Sequence, residues 1–145
     1  MELILWRHAE AEDGSPDLER QLTPKGREQA ARVASWLLAR LPAQYTVIAS
    51  PAARAQQTAA ALKVPVRTVR QLAPGAKVGT IAEAAGWPRP VATTIVVGHQ
   101  PDLGRAAAYF LSGKDSEWHI EKGALWWLVA ELPVLVKAVM SPDLL

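Results

Sequence analysis

The chain has 145 residues, a length typical of one domain, and half of its residues are hydrophobic. It contains no cysteine, which excludes disulfides, thiolate zinc sites and phosphatases with a cysteine nucleophile. No apolar stretch approaches the length of a membrane span, and no signal-peptide pattern is present. We therefore expect a single domain over residues 1–145 that is cytoplasmic and has no membrane partner.

The net charge of +2 hides an uneven distribution. Residues 20–101 carry eleven Lys and Arg side chains but only two acids, Glu28 and Glu83. Such a region either attracts phosphates and acidic surfaces or is an ordinary solvated face. Because no basic stripe is interleaved with aromatic residues, we expect no nucleic-acid partner. The three histidines lack close metal-ligand spacing and no Gly-x-x-x-x-Gly-Lys loop is present, so we expect no metal and no cofactor.

Apolar runs that alternate with helical patterns predict an α/β domain. The first run, residues 2–6, is apolar at every position after Glu2, as in a strand covered on both faces. Thr23-Pro24 is a typical N-cap and first residue of a helix, whose apolar stripe continues to Leu41 and predicts an end before Pro42.

The later elements follow the same alternation. Strands are predicted at 47–49, 66–69 and 93–97, and residues 125–130 and 134–139 are predicted to form a closing hairpin. Helices are predicted from Ser50-Pro51, a second cap-then-proline opening, to about Leu62, and from Pro101 to about Leu111, with Gly113 after it. A short helix is predicted at Val78–Ala85, inside the Gly- and Pro-rich stretch 72–90. This order predicts a mostly parallel central sheet with a C-terminal antiparallel hairpin.

Three of these apolar runs have charged or titratable residues shortly after their ends. Arg7-His8 comes after the first strand, Arg54 after the second and His99 after the strand at 93–97. The carboxyl ends of neighbouring parallel strands share one edge of a sheet, so these groups are expected to converge in one crevice. A crevice with two guanidinium groups and two imidazoles can bind a phosphoryl group and also attack it.

Each of the four residues has a role in that chemistry. Arg7 and Arg54 are natural phosphate clamps, because a guanidinium reaches two oxygens at once and stays charged. Arg54, early in its helix, is also near free backbone N–H groups. His8 is assigned as the nucleophile, since a neutral imidazole can form an N–P bond that water later breaks. His99 is expected to be the charged partner at the phosphoryl oxygens, with a pKa raised by the bound dianion.

Taken singly, each of these segments is more often structural: a surface ion pair, a turn, or an arginine that covers part of a helix surface. Only their combination favours a functional site. His119 is not part of such a combination and is interpreted as a loop or packing residue. The six tryptophans are assigned to packing, with Trp118 and Trp87 as candidates for the border of a substrate site.

The segments that carry these residues resemble the histidine phosphatase superfamily, branch 1, with its phosphoglycerate-mutase-like fold, and are most similar to the SixA-type phosphohistidine phosphatases. The matching segments are 5–11, 22–30, 50–58 and 96–101. The resemblance implies an α/β fold, a three-layer α/β/α sandwich. It also implies that His8 becomes phosphorylated while Arg7, Arg54 and His99 form the phosphate pocket.

The chain departs from the family in the region of the proton donor. Many relatives carry a glutamate acid in a mid-chain segment, and between Gln71 and Trp87 the only acid is Glu83. Asp17 is a candidate donor or orienting group, and Arg20 a candidate anchor for the same loop. An imidazole that leaves phosphohistidine can already carry its proton on the other ring nitrogen, whereas an alkoxide needs an acid. This absence therefore favours a phosphoramidate substrate.

The leading hypothesis is a metal-independent phosphatase that hydrolyses phosphohistidine on a protein partner, such as a histidine phosphotransfer domain, through a phospho-His8 intermediate. The short chain leaves little room for a lid, so an open site that admits a side chain of another protein is expected. The alternatives are a phosphatase of small phosphomonoesters or anhydrides, and a phosphate-binding interaction module without turnover.

Overall fold

The computed structural model describes residues 1–89 and 92–145, so Pro90, the last residue of the stretch 72–90, lies outside the described residues. The strands are β1 (Glu2–Arg7), β2 (Thr46–Ala49), β3 (Arg67–Thr68), β4 (Thr93–Gly98), β5 (Leu125–Val129) and β6 (Leu135–Met140). The α-helices are α1 (Pro24–Leu38), α2 (Ala53–Ala60), α3 (Val78–Ala85) and α4 (Asp102–Ser112). Short 3-10 helices cover Asp17–Glu19, Arg70–Leu72 and Pro142–Leu144.

All six strands form one sheet in the order β3-β2-β4-β1-β5-β6. The strands β3, β2, β4 and β1 are parallel, whereas β5 and β6 add an antiparallel hairpin beside β1. Arg7 lies opposite Gly98 and Ala49 lies opposite Val97, so β1, β4 and β2 end at the same edge of the sheet. The predicted mostly parallel sheet with its C-terminal hairpin is confirmed.

Helices cover both faces of the sheet, because the central strands are apolar on both sides. Leu3 and Leu5 of β1 pack with residues of α3 and α4, whereas Ile4 and Trp6 pack with residues of α1 and α2. Side chains alternate between the faces of a strand, so one continuous apolar run supplies both layers of the core. The result is the expected three-layer α/β/α sandwich. None of the helices in the described ranges is long and apolar enough to cross a membrane.

Helix α1 begins as predicted but ends earlier. The Thr23 hydroxyl accepts a hydrogen bond from the Gly26 N–H, and Pro24 is the first helical residue. The helix ends at Leu38, which is 46% exposed, and not just before Pro42. The fully buried stripe stops at Leu37, and Leu41 in the last predicted turn is only partly buried against the core, so little burial supports further helix.

The predicted cap of α2 is wrong. The N-cap residue is Ala52, which has no side-chain cap bond, and the helix starts at Ala53. The hydroxyl of Ser50 lies two residues before the cap and contacts the His99 imidazole instead. Pro101 is likewise the N-cap of α4 and not its first residue, although Gly113 ends that helix in the left-handed conformation as expected.

Strand β3 is shorter than the predicted 66–69 strand. It pairs only with β2, through two register positions, and both of its residues, Arg67 and Thr68, are exposed. An edge strand has one partner, which supports only a short ladder. The Val69 N–H still donates to the Ala49 carbonyl at 2.9 Å, whereas its side chain packs into the core. Helix α3 lies at Val78–Ala85 as predicted. Strand β5 ends one residue earlier than predicted and β6 is shifted by one residue, and a bulge interrupts their register between Trp127 and Leu128.

Gly26 fixes the loop after β1 against the start of α1. A Cβ atom at this position would lie 1.9 Å from the carbonyl oxygen of Glu10, which no side chain can tolerate. The N–H of Thr23 donates to that same oxygen. The loop that begins at His8 is therefore held close to α1 by a glycine that allows backbone to approach backbone.

We predict that Gly26→Ala destabilises the protein by about 1–3 kcal/mol, the usual cost of forcing an atom into packed structure. Urea unfolding followed by circular dichroism measures the difference. Gly79→Ala is the matched control, because a methyl group added to this helical glycine would meet no neighbouring atom within 4 Å. It should stabilise the protein by roughly 0.5–1 kcal/mol, since alanine favours helix over glycine. Equal effects at the two positions would contradict this packing argument.

Candidate active site

The ends of β1, β2 and β4 bring the predicted site residues together at one edge of the sheet. Arg7 ends β1 and His8 follows it, Arg54 is the second residue of α2, and His99 follows β4. The rings of His8 and His99 lie 5.3 Å apart between centroids, and a terminal nitrogen of Arg54 lies 3.4 Å from Nδ1 of His99. The three distant segments of the sequence thus form one cluster.

His8 is held by the backbone on both sides. Its N–H donates to the Gly98 carbonyl at 3.0 Å, and its carbonyl accepts from the Gly123 N–H at 3.0 Å. Its Nδ1 lies 2.7 Å from the carbonyl oxygen of Ala9. A carbonyl only accepts, so Nδ1 carries the ring proton and Nε2 keeps its lone pair. This tautomer leaves Nε2 as the nucleophilic atom.

The turn after His8 is fixed by a buried hydroxyl. The Ala9 N–H donates to Oγ1 of Thr58 at 3.0 Å, and that hydroxyl donates to the Arg54 carbonyl at 2.7 Å. Thr58 is fully buried in α2, one turn after Arg54. It therefore links the backbone that carries His8 to the backbone that carries Arg54.

Burial keeps both histidines neutral. It lowers the pKa of His8 to about 4, an effect that the Arg54, Arg7 and Arg20 charges reinforce and the Ala9 hydrogen bond opposes. Burial, followed by the charges of the protonated form of His8 and of Arg54, lowers the pKa of His99 to about 3. Only 8% of His8 and 3% of His99 are exposed. His99 is thus neutral in this structure, and the expected charged form beside a bound dianion stays a prediction.

Arg54 is buried and anchored by one acidic residue. Its two terminal nitrogens donate to the carbonyl oxygen of Asp17 at 2.8 Å and to the Asp17 carboxylate at 3.1 Å. Its Nε–H is buried and has no hydrogen-bond partner. The guanidinium therefore has a fixed orientation and a buried Nε–H that has no acceptor within the described part of the protein.

Arg7 is likewise held by a backbone carbonyl. A terminal nitrogen donates to the Ile120 carbonyl at 2.8 Å, and burial lowers its pKa, although the nearby Glu121 charge opposes this. Its Nε–H is also buried without a partner. Within the described ranges, three buried side-chain atoms lack a partner, and two of them are these guanidinium nitrogens. Two unpartnered cationic donors beside two neutral imidazoles make an anion site.

Asp17 and Arg20 are joined at the rim of this site. The Asp17 carboxylate accepts from Arg20 at 3.0 Å as well as from Arg54, and these hydrogen bonds, with that of Arg20 the largest, lower its pKa. Nε of Arg20 donates to the carbonyl of Glu12 at 2.7 Å. Asp17 is therefore held ionised between two cations, a state in which it accepts hydrogen bonds and does not donate a proton.

Two further contacts at this edge were not predicted from the sequence. Ser50 contacts His99, and the segment between α4 and β5 supplies the carbonyl that holds Arg7. That segment reaches the site because Gly104 lets the Trp118 carbonyl approach α4, where a Cβ would lie 1.8 Å from it. The glycine in α4 was the available sequence signal, since glycine inside a helix often marks a close backbone approach.

Asp102, the first residue of α4, was likewise missed. Its carboxylate is buried and accepts the N–H groups of Gly75 and Ala76 at 2.9 and 3.1 Å. Burial raises its pKa, although these two hydrogen bonds oppose the shift. Asp102 thus ties the 73–77 loop to the start of α4, three residues after His99 in the chain.

The remaining candidates lie outside this cluster. His119 is exposed and lies 3.3 Å from Glu121, so it is a loop residue. Trp87 stacks on Phe110, Trp118 packs against Trp126, and Glu83 is exposed on α3. The described residues contain no group of three or more His, Cys, Asp or Glu side chains that could hold a metal ion.

The family model for branch 1 of the histidine phosphatase superfamily matches residues 3–74, which contain Arg7, His8 and Arg54. A Nakamurella multipartitia protein assigned as the phosphohistidine phosphatase SixA is 32% identical, with a TM-score of 0.81, and the match covers 97% of this chain and 95% of that one. This chain belongs to the histidine phosphatase superfamily. The resemblance stated from the motifs is confirmed, and the protein is a SixA-like phosphatase.

Other proteins resemble this chain over most of its length. The protein histidine phosphatase SixA in complex with tungstate is 25% identical with a TM-score of 0.86, over 99% of this chain and 98% of that chain. An uncharacterised Mycobacterium tuberculosis protein is 38% identical over 117 residues, which span 76% of this chain and 73% of that protein. An Escherichia coli protein assigned as an alpha-ribazole-5'-P phosphatase shares the fold at 19% identity, with a TM-score of 0.78.

We predict that lowering the pH from 6.5 towards 4 destabilises this histidine phosphatase. Histidines of the unfolded chain take up protons near pH 6.5, whereas His8 and His99 resist protonation until about pH 4 and about pH 3. The unfolded state therefore binds more protons in this range, and the free energy of unfolding falls as the pH falls. Urea unfolding at a series of pH values measures the slope.

The variant His99→Gln should lose part of this pH dependence, on the order of 1 kcal/mol or more between pH 6.5 and 4. The matched control is the exposed residue His119, and the variant His119→Gln should keep the wild-type slope. If His99→Gln kept the full slope, the buried neutral state of His99 would be wrong.

Proposed function

We propose that the protein is a metal-independent phosphatase that removes phosphate from phosphohistidine on a protein partner, such as a histidine phosphotransfer domain, through a phospho-His8 intermediate. The observation that carries the proposal is the neutral Nε2 of His8, placed in a cluster with two buried guanidinium N–H groups that have no partner. Inorganic phosphate is the second product that this site binds.

The first step forms a bond between His8 Nε2 and phosphorus and breaks the N–P bond of the substrate. The electron pair of the broken bond stays on the substrate ring, which leaves as neutral imidazole when its other nitrogen carries a proton. The positive charge that develops on His8 is stabilised by the Nδ1–H bond to the Ala9 carbonyl. Arg7, Arg54 and His99 hold the phosphoryl oxygens, where charge is spread during transfer.

In the second step, water attacks phosphorus and the electron pair of the N–P bond returns to Nε2 of His8. The proton lost by the water passes to solvent or to the released phosphate. His8 regains its neutral Nδ1–H tautomer, and its low pKa favours this state at neutral pH. The second step therefore restores the charges and protons of the starting site.

The carboxylates around the site favour phosphohistidine over an ester. In the described part of the chain, Asp17 is the carboxylate hydrogen-bonded to one of the four site residues, and its pKa is lowered. An ionised carboxylate cannot protonate an alkoxide, whereas a protonated phosphohistidine ring needs no such donor. Glu83, the only acid between Gln71 and Trp87, is exposed on α3.

The loops at this edge favour a substrate that is presented by another protein. The segment 8–23 holds Arg54 through Asp17, and the segment 113–124 holds Arg7 through Ile120. These are the two longest connections at the active-site edge among the described residues, and both are used to fix arginines. In residues 1–89 and 92–145, no other connection of that length at this edge remains to close over a small substrate. The relative with bound tungstate, a phosphate-like oxyanion, is itself a protein histidine phosphatase.

We predict that the wild type hydrolyses a phosphohistidine protein at least tenfold faster than small phosphomonoesters such as phosphoserine and p-nitrophenyl phosphate. His8→Ala should lower turnover by on the order of 10³-fold or more, because it removes the nucleophile. His119→Ala, the matched control, should retain activity. Radiolabelled phosphoramidate should leave an acid-labile label on the wild type and none on His8→Ala, and a chelator should change no rate.

The other outcomes decide between the alternatives. Exclusive hydrolysis of the small esters would replace the proposal with a small-molecule phosphatase. Phosphate binding without label or turnover would indicate a binding module. Strict dependence on an added metal ion would contradict the metal-independent mechanism.

We also predict that Asp17→Asn lowers turnover of good and poor leaving groups by the same factor, about tenfold, because it loosens Arg54 without removing a proton donor. The measurement is a series of aryl phosphates of graded leaving-group pKa, compared between wild type and variant. A steeper dependence on leaving-group pKa in Asp17→Asn would show that Asp17 is the general acid. Glu19→Gln, an exposed change in the same 3-10 helix, is the control.

A further inference from the structure

Ser50 is a buried hydroxyl that the phosphatase chemistry described above does not use. It directly follows β2 and has no exposed surface. Its Oγ lies 2.7 Å from Nε2 of His99 and also accepts the Ala52 N–H at 3.2 Å. The backbone carbonyl of Ser50 is held in turn by the side-chain amide of Gln56 at 2.8 Å. The hydroxyl therefore has a fixed position behind the His99 ring.

The contacts of His99 define its tautomer. Nδ1 faces a terminal nitrogen of Arg54 at 3.4 Å, and a guanidinium only donates hydrogen bonds. Nδ1 therefore carries the lone pair, and the ring proton is on Nε2, where the Ser50 oxygen accepts it. Ser50 thus uses both acceptor positions of its oxygen, one for His99 and one for the Ala52 N–H.

We propose that Ser50 is a positioning residue that fixes His99 in the Nε2–H tautomer and so makes Nδ1 the atom through which His99 contacts a phosphoryl oxygen. This inference rests on the proposed function, in which His99 holds the phosphoryl group. Nδ1 is the ring nitrogen on the side of Arg54, whose free Nε–H belongs to the same anion site.

The proton balance supports this assignment. A contact between Nδ1 and a phosphoryl oxygen needs one proton between the two atoms. A monoprotonated phosphoryl group supplies it directly, and a dianion supplies it by raising the affinity of Nδ1 for a solvent proton. In both cases Nε2 keeps its proton and donates it in a hydrogen bond to the Ser50 oxygen. Without the hydroxyl, the buried Nε2–H has no acceptor, which favours the opposite tautomer or a flipped ring.

Ser50→Ala tests the proposal, with Ser50→Thr as the variant that keeps a hydroxyl. Nitrogen-15 NMR of the histidine rings reports which nitrogen of His99 is protonated, before and after addition of inorganic phosphate. In the wild type we expect Nε2 to be protonated throughout and the Nδ1 signal to move on binding phosphate. In Ser50→Ala the Nε2–H population should fall, and kcat for the phosphohistidine protein should fall by about tenfold or more with a smaller change in KM.

The matched control is Thr94→Val, which removes another buried hydroxyl from β4, at the end of the strand remote from His99. It should leave the His99 spectrum and kcat unchanged. Ser50→Thr should restore both, and if threonine does not fit, the spectrum of Ser50→Ala decides alone. An unchanged His99 tautomer in Ser50→Ala, or equal losses in Thr94→Val, would overturn the proposal.

The two proposals fail in different ways. The NMR measurement needs no turnover, so the role of Ser50 can hold even if phosphohistidine is not the substrate. Conversely, full phosphohistidine phosphatase activity in Ser50→Ala, with wild-type kcat, would remove the role of Ser50 and leave the proposed function intact.

Discussion

Parallel pairing of β1 with β4 is the constraint on which the site depends. The pairing places Arg7 opposite Gly98, and the His8 N–H continues the ladder by donating to the Gly98 carbonyl. A shift of one residue would turn every side chain of β1 to the other face of the sheet. That shift would bury the wrong side chains in both core layers, since Leu3 and Ile4 belong to opposite layers. The hydrophobic core therefore fixes the position of the nucleophile.

The electrostatics of the site follow from this burial. Two guanidinium groups lie beside two imidazoles at the end of the sheet, and the low polarity of the surroundings strengthens the electrostatic interactions between them. The histidines respond by staying neutral, and Arg54 is compensated by the rim carboxylate of Asp17. The neutral state of His8 is what nucleophilic attack requires. The same burial that costs free energy for the arginines thus prepares the histidine for its chemistry.

The sequence predicted the fold and the meeting of the four residues, because both depend on long-range rules that a pattern of apolar runs reveals. It did not predict details set by local competition. Ser50-Pro51 has the pattern of a helix cap, yet the hydroxyl bonds to His99, because a buried imidazole N–H offers a contact that the pattern cannot show. The approach of the Ile120 carbonyl to Arg7 depends on how one loop packs, and loop packing leaves no periodic signal.

Asp17 shows why the leaving group and the fold are connected. Its carboxylate holds Arg54 and Arg20 together, and it does so only while ionised. To act as a general acid it would have to be protonated, which would remove the counter-charge of both arginines and release the loop that it anchors. One carboxylate cannot serve both purposes in the same state. A site built in this way favours substrates whose leaving group carries its own proton, as the imidazole of phosphohistidine does.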